Sequence, residues 1–143
     1  MPRSPRTERG SATVEAVIGV PAFLLFIGLL VLGGRMAIAQ QVVQSAAADA
    51  ARAASIARSQ SVARADATTA AEYSLRNQHL DCAHTTTSVD LSAFRSSVGT
   101  AGQVHATVTC HLRVDDLGLP GLSGTRAITA TMSSPLDTHR ERG

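Results

Sequence analysis

One carboxylate at the edge of a long uncharged stretch offers the most specific chemistry in this sequence. Glu15 stands directly before residues 16–34, which contain no charged side chain. A charge at the border of a membrane-length apolar segment is costly unless it has a partner. A chain that began at Ser11 would supply that partner, because its new α-amine would lie about one helical turn from Glu15. The two charges could then neutralise each other within one subunit or between two.

The residues around Glu15 resemble the processing site of type IV pilin-like proteins. Those proteins carry a short basic leader, a glycine before the cut, a glutamate as the fifth residue after it and an apolar helix. In this chain Gly10 would precede the cut, Ser11 would follow it, and Glu15 takes the glutamate position. Ala16 departs from the pattern, since many pilins have phenylalanine there. Among these families the sequence is most similar to the TadE-like group, small components of tight-adherence pilus systems.

The resemblance implies a function and a set of partners. A prepilin peptidase would remove residues 1–10, and Glu15 would then pair with the Ser11 amine of a neighbouring subunit. The chain would act as a minor pilin or an assembly factor, and it would contact membrane lipid and other pilin-like subunits through its N-terminal helix. The alternative is a signal-anchored or secreted extracytoplasmic binding domain that is not incorporated in a pilus. A pilus-associated adhesin with Thr-rich strands is a third hypothesis.

The uncharged stretch is long enough to cross a membrane once. A helix of about 19 residues spans roughly 28 Å, close to the thickness of the hydrocarbon layer. Three arginines precede the stretch within residues 1–10, and Arg35 follows it closely. Because positive charge concentrates on the cytoplasmic side, we expect a single-pass cell-membrane protein with a cytoplasmic leader and an extracytoplasmic C-terminal domain.

Two other fates of the apolar segment remain open. A plain signal anchor would leave residues 1–10 attached and would make Gly10 and Glu15 coincidental. A cleaved secretory signal could use Ala37 and Ala39 as an A-x-A-like site, with the cut before Gln40. Against this, the apolar run exceeds the roughly 7–15 residues of a signal-peptide core. The pilin-like interpretation alone explains Glu15.

The cysteines and histidines could form a disulfide or a metal site. Cys82 and Cys110 follow the apolar segment, and an even cysteine count in an exported segment predicts a disulfide. Since Cys82 follows the second predicted helix, we expect this disulfide to tie the helical part to the sheet. Together with His84 and His111 the cysteines could instead bind zinc. Cys110 and His111 would point to opposite faces of a strand, so we expect no metal and no cofactor.

The elements that position these residues form an α+β plan. The helix continues from the apolar segment through an Ala-rich stretch, so residues 11–58 form the N-terminal helix. One face of this helix carries mostly small residues, namely Met36, Val43, Ala47, Ala50, Ala54 and Ala57. This face could pack either against the chain's own domain or against neighbouring helices in a filament. A break at residues 59–61 precedes a second helix at about 62–77. One face of that helix would carry Val62, Ala65, Thr69 and Tyr73.

A small antiparallel sheet completes the extracytoplasmic domain of residues 59–143. Residues 85–94, 104–114 and 127–133 are the strand candidates, and the second alternates apolar and polar side chains with a clear period of two. The long helix, the transmembrane segment at 16–34 and a sheet closed by one disulfide together define the α+β class.

Composition argues against nucleic-acid binding and against catalysis. Aromatic residues make up 3% of the chain, tryptophan is absent, and the net charge is +2 at pH 7. Removing residues 1–10 leaves the remaining side chains near neutrality, so neither a basic patch nor a stacking platform for bases remains. The sequence has no phosphate-binding loop, no H-E-x-x-H and no nucleophile elbow, and we expect no enzyme.

The N-terminus of the protein isolated from its native membrane distinguishes the three fates of the apolar segment. We expect mass spectrometry to find a chain that begins at Ser11. A chain that begins at Gln40 would indicate a secreted domain, and an intact leader would indicate a plain anchor. Either of these results would contradict the role assigned to Glu15.

Overall fold

The computed structural model describes residues 9–97, 99–113 and 124–136. Two α-helices precede a three-stranded sheet: α1 spans Arg9–Ile56, α2 Gln60–Asn77, β1 Cys82–Asp90, β2 Gln103–Arg113 and β3 Thr125–Pro135. A short 3₁₀ helix, Ser92–Arg95, follows β1. The predicted α+β class is thus confirmed. Most of the predicted leader, and Val114 at the end of the second predicted strand, lie outside the described residues.

The chain divides into two units, Met1–Met36 and Ala37–Gly143, and α1 contributes residues to both. In the first unit the helix is apolar and its side chains from Val14 onward are largely exposed. Pro21 lies inside this helix. A proline removes one backbone hydrogen bond, a defect that membrane helices tolerate.

The second unit uses the small-residue face of α1 as part of its own core. Val43, Ala47, Ala50 and Ala54 are completely buried and belong to one apolar cluster with β2 and α2. Small side chains allow a helix backbone to approach its neighbours closely. Of the two interpretations of this face, packing against the chain's own domain is the one observed.

α2 buries a face other than the one that carries Val62, Ala65, Thr69 and Tyr73. Its buried apolar side chains are Ala63, Ala67, Ala71 and Leu75. The face that carries Val62 and Tyr73 is exposed, with 66% of Tyr73 accessible. Three of the four buried apolar side chains are alanines, so α2 approaches its neighbours closely.

Specific caps begin and end α2. Ser59 is the N-cap, and its hydroxyl accepts a hydrogen bond from the Val62 amide at 3.3 Å. The break after α1 lies at residues 57–59, slightly earlier than the predicted 59–61, so α2 begins at Gln60 rather than at about residue 62. At the other end the His79 amide donates to the Arg76 carbonyl, and the Leu80 amide donates to the Leu75 carbonyl. These two bonds define a Schellman motif, in which His79 adopts a positive φ of 56°.

The strands form an antiparallel meander in the order β1-β2-β3. The predicted alternation of β2 is confirmed, because Val104, Ala106, Val108 and Cys110 are completely buried on the inner face. β1 begins earlier than predicted and ends at Asp90 rather than Phe94. Phe94 lies in the 3₁₀ helix, where its side chain is buried in the core.

A carboxylate fixes the turn at which β1 ends. Asp90 Oδ1 accepts a hydrogen bond from the Ser92 amide at 2.9 Å. This bond to the Ser92 backbone holds the pKa of the Asp90 carboxyl below its ordinary value, with the Ser92 hydroxyl and the charges of His105 and Arg95 as smaller causes. Asp90 therefore favours the turn into the 3₁₀ helix while it is ionised.

A buried pair of hydroxyls joins α1 to β3. Ser55 donates to the Arg52 carbonyl at 2.8 Å, which uses its only proton, so Ser134 is the donor in the 3.0 Å bond between the two serine oxygens. Ser55 is 3% exposed, and an unpartnered hydroxyl at that depth would be destabilising. The pair thus favours one placement of β3 against the helix.

The left-handed residue at the end of α2 gives a test of this cap. Glycine adopts positive φ without the penalty of a Cβ, so we expect His79→Gly to raise the free energy of unfolding by about 0.5–1 kcal/mol. Asn77→Gly, at the last helical residue, is the matched control and should lower it by about the same amount. Denaturant unfolding of the full chain in detergent, followed by circular dichroism, measures both. Equal effects of the two variants would contradict the strain at His79.

Candidate functional site

The predicted processing and assembly residues lie in the first turns of α1. The helix begins at Arg9, so the backbone of Gly10, Ser11 and Glu15 is helical throughout. Residues four apart lie on the same face of a helix. The backbone nitrogen of Ser11 and the Glu15 carboxylate are therefore on one side of α1, the arrangement that a charge pair would need after a cut at Gly10.

Glu15 is an exposed carboxylate among exposed apolar side chains. Its neighbours Val14, Val17 and Ile18 are each more than 60% accessible. Among the side chains that the structure describes, the one ion pair joins Arg76 to Glu72 at 3.9 Å, so Glu15 has no charge partner there. A carboxylate among apolar side chains would be stabilised by a cation that is not one of the described side chains.

The apolar surface that follows Glu15 could span a membrane. By length and composition α1 is the one membrane-crossing candidate among the described residues. Its exposed large side chains are Val14, Val17, Ile18, Val20, Phe23, Leu24, Leu25, Phe26, Ile27, Leu29, Leu30 and Val31. In water this surface would be costly, since burying apolar area yields about 25 cal/mol per Å². Lipid or another apolar helix is the environment that suits it.

The disulfide forms between the predicted cysteines. Cys82 and Cys110 are bonded with their Cα atoms 5.4 Å apart, and they close a segment with a sequence separation of 28. The predicted link between the helical part and the sheet is wrong, because β1 begins at Cys82 itself. The bond therefore joins two neighbouring strands. Since both sulfurs are used, neither is available as a thiolate ligand for the alternative zinc site.

Next to the disulfide lie the two histidines of the alternative zinc site. His84 and His111 face each other across β1 and β2, with ring centroids 6.0 Å apart. Their pairing continues the register of the ladder from Thr85 to Asp90, and a bulge between Cys82 and His84 shifts only the end of β1 that carries Cys82. The sequence has no signal for that bulge, because an extra residue in a strand changes neither composition nor hydropathy. No group of three or more metal-binding side chains occurs in the part of the chain that the structure describes.

The outer face of the sheet is rich in hydroxyl groups. Across β2 and β3, Thr107 pairs with Thr131 at 2.8 Å and Thr109 with Thr129 at 2.9 Å between their hydroxyl oxygens. Opposite Thr109 and Thr107 on β1 lie Thr86 and Ser88. Cross-strand hydroxyl pairs of this kind stabilise a sheet.

Reduction tests how much the disulfide contributes to stability. In the chain-entropy model, closing a loop of this length stabilises a protein by about 3–4 kcal/mol. We expect dithiothreitol to lower the free energy of unfolding of the full chain by about that amount. The double variant Cys82→Ala/Cys110→Ala should be insensitive to the reductant, which controls for its other effects. Unchanged unfolding of the reduced wild-type chain would contradict this role.

Comparison with known proteins bears on the N-terminal helix. The family model described as TadE-like protein matches residues 10–52, a stretch that begins at Gly10, includes Glu15 and ends within α1. No curated protein and no solved structure matches the chain. The sheet and the disulfide lie outside the matched segment. Over this segment the chain is similar to TadE-like proteins.

Proposed function

We propose that this protein is a membrane-anchored, pilin-like subunit of a tight-adherence pilus that acts without catalysis as a minor pilin or assembly factor. The observation that carries the proposal is the coincidence of three features in one segment. The TadE-like match, the Gly10–Ser11 bond with Glu15 behind it, and the exposed apolar face of α1 all fall within the same residues.

Processing by a prepilin peptidase is the first step of this function. Hydrolysis of the Gly10–Ser11 bond releases the leader with its three arginines and leaves a positively charged amine on Ser11. The same cut removes the basic segment that holds the N-terminus in the cytoplasm. A subunit processed in this way keeps one cation and one anion at the start of its apolar helix.

Pairing between subunits is the second step. In an apolar environment an amine or a carboxylate left without its partner costs about 3–5 kcal/mol. Glu15 of one subunit therefore favours the helix register in which it meets the Ser11 amine of the next. The pair contributes little net stability, but it penalises every other register.

The two parts of α1 differ in burial, and this difference supports packing against other helices through the N-terminal part. The alanine face between Val43 and Ala54 is already buried in the chain's own domain, so it is not available to other subunits. The apolar side chains from Val14 to Val31 are exposed and have no such role. Contacts with lipid and with other pilin-like helices are therefore assigned to this region.

Substitutions at Glu15 test the register step. We expect Glu15→Ala to insert into the membrane normally but to be lost from the sheared pilus fraction and from complexes with other pilus subunits. Glu15→Asp keeps the charge and should retain part of the assembly. Glu72→Gln, which removes an exposed carboxylate from α2, is the matched control and should assemble as the wild type does.

Substitution at Gly10 tests processing separately. Gly10→Leu should leave the leader attached, which mass spectrometry detects as an intact N-terminus. If Glu15→Ala still assembled normally, the register role would be wrong. If Gly10→Leu and Glu15→Ala both left cleavage and assembly unchanged, the anchored binding domain would become the better account.

A further inference from the structure

The antiparallel pairing of β1 and β2 brings His84 and His111 together. His84 pairs with His111 in the same register as the pairs that run from Thr85–Cys110 to Asp90–His105. The bulge between Cys82 and His84 shifts only the end of β1 that carries Cys82. Directly paired residues of neighbouring strands project from the same face of the sheet, so the two imidazoles lie side by side.

The two rings are close enough to share one ion. Their centroids are 6.0 Å apart, with an angle of 41° between the ring planes. Zinc binds an imidazole nitrogen at about 2.0–2.1 Å, which places the centroids of two ligating rings roughly 5 Å apart at a tetrahedral angle. Rotation about the broad χ2 torsion of histidine supplies the remaining movement of about 1 Å.

The surroundings hold the pair in place and leave it open. Cys110 precedes His111, so the disulfide cross-links the two strands directly beside the rings. On the third strand the residue opposite His111 is Ala127, whose small side chain does not cover the pair. His84 is exposed and His111 is half-buried, so water has access to an ion bound between them.

We propose that His84 and His111 form a bidentate binding site for a divalent transition-metal ion, with Zn²⁺ as the probe. Neutral imidazoles are ligands that zinc, copper and nickel prefer over calcium or magnesium. Water completes the coordination, as in zinc sites that keep open positions. Arg113 lies two residues along the same face of β2, and its charge limits the affinity without occupying the site.

Calorimetric titration tests the site. ZnCl₂ is added to the full chain in detergent, purified without a polyhistidine tag and with its disulfide intact. We expect one ion per chain, and we expect His84→Asn or His111→Asn to weaken binding by at least about tenfold, since even outer-shell changes cost about 10–100-fold. The matched controls are His105→Asn on the same face of β2 and His79→Asn outside the sheet. Both should bind as the wild type does.

A second measurement on the unaltered protein keeps the test independent of the variants' folding. In ¹⁵N spectra of the histidine side chains, zinc should shift the ring signals of His84 and His111 and leave that of His105 unchanged. Binding that survives in the double variant His84→Asn/His111→Asn would overturn the site. The absence of zinc-dependent shifts at these two rings would overturn it as well.

Discussion

Close approach between helices and sheet over alanine side chains is the constraint on which this fold depends. With three phenylalanines, one tyrosine and no tryptophan, the chain has few large side chains to fill a core. Instead, alanines on α1 and α2 are buried completely against an inner sheet face of Val104, Val108 and Cys110. Alanine loses no side-chain entropy on burial, but it buries little apolar area. Other restraints must therefore supply stability and define the position of each element.

The disulfide and the polar contacts supply those restraints. The cross-link ties β1 to β2, the Ser55–Ser134 pair ties α1 to β3, and the Schellman motif at His79 ends α2 at a defined residue. Each of these contacts lies between two elements or at the end of one. At these places small side chains alone would allow neighbouring helices and strands to slide past one another. The disulfide and the polar contacts at the edges of the core thus compensate for the small apolar area that its alanines bury.

The sequence predicted the features that depend on local pattern. The alternation in β2, the break at Ser59 and the cysteine pair all follow from period, capping chemistry and cysteine count. It grouped Val62 and Tyr73 on one face of α2, whereas the face that is buried carries three alanines and Leu75. It named His84 and His111 together but did not predict that they pair directly, because the register between β1 and β2 cannot be derived from the alternation within either strand. At the N-terminus the sequence identifies Glu15, and its pairing with the Ser11 amine of another subunit is a proposal.

The placement of the disulfide also has a mechanical consequence. A chain that is pulled from its two ends can lengthen only through segments outside the covalent loop. Cys82 and Cys110 are 28 residues apart in sequence, yet their Cα atoms are 5.4 Å apart. A fully extended segment of that length would reach about 90–100 Å, and the bond removes nearly all of it from the contour. Tension therefore bypasses β1, its connection to β2 and β2 as far as Cys110, and any extension must come from the chain before Cys82 and after Cys110.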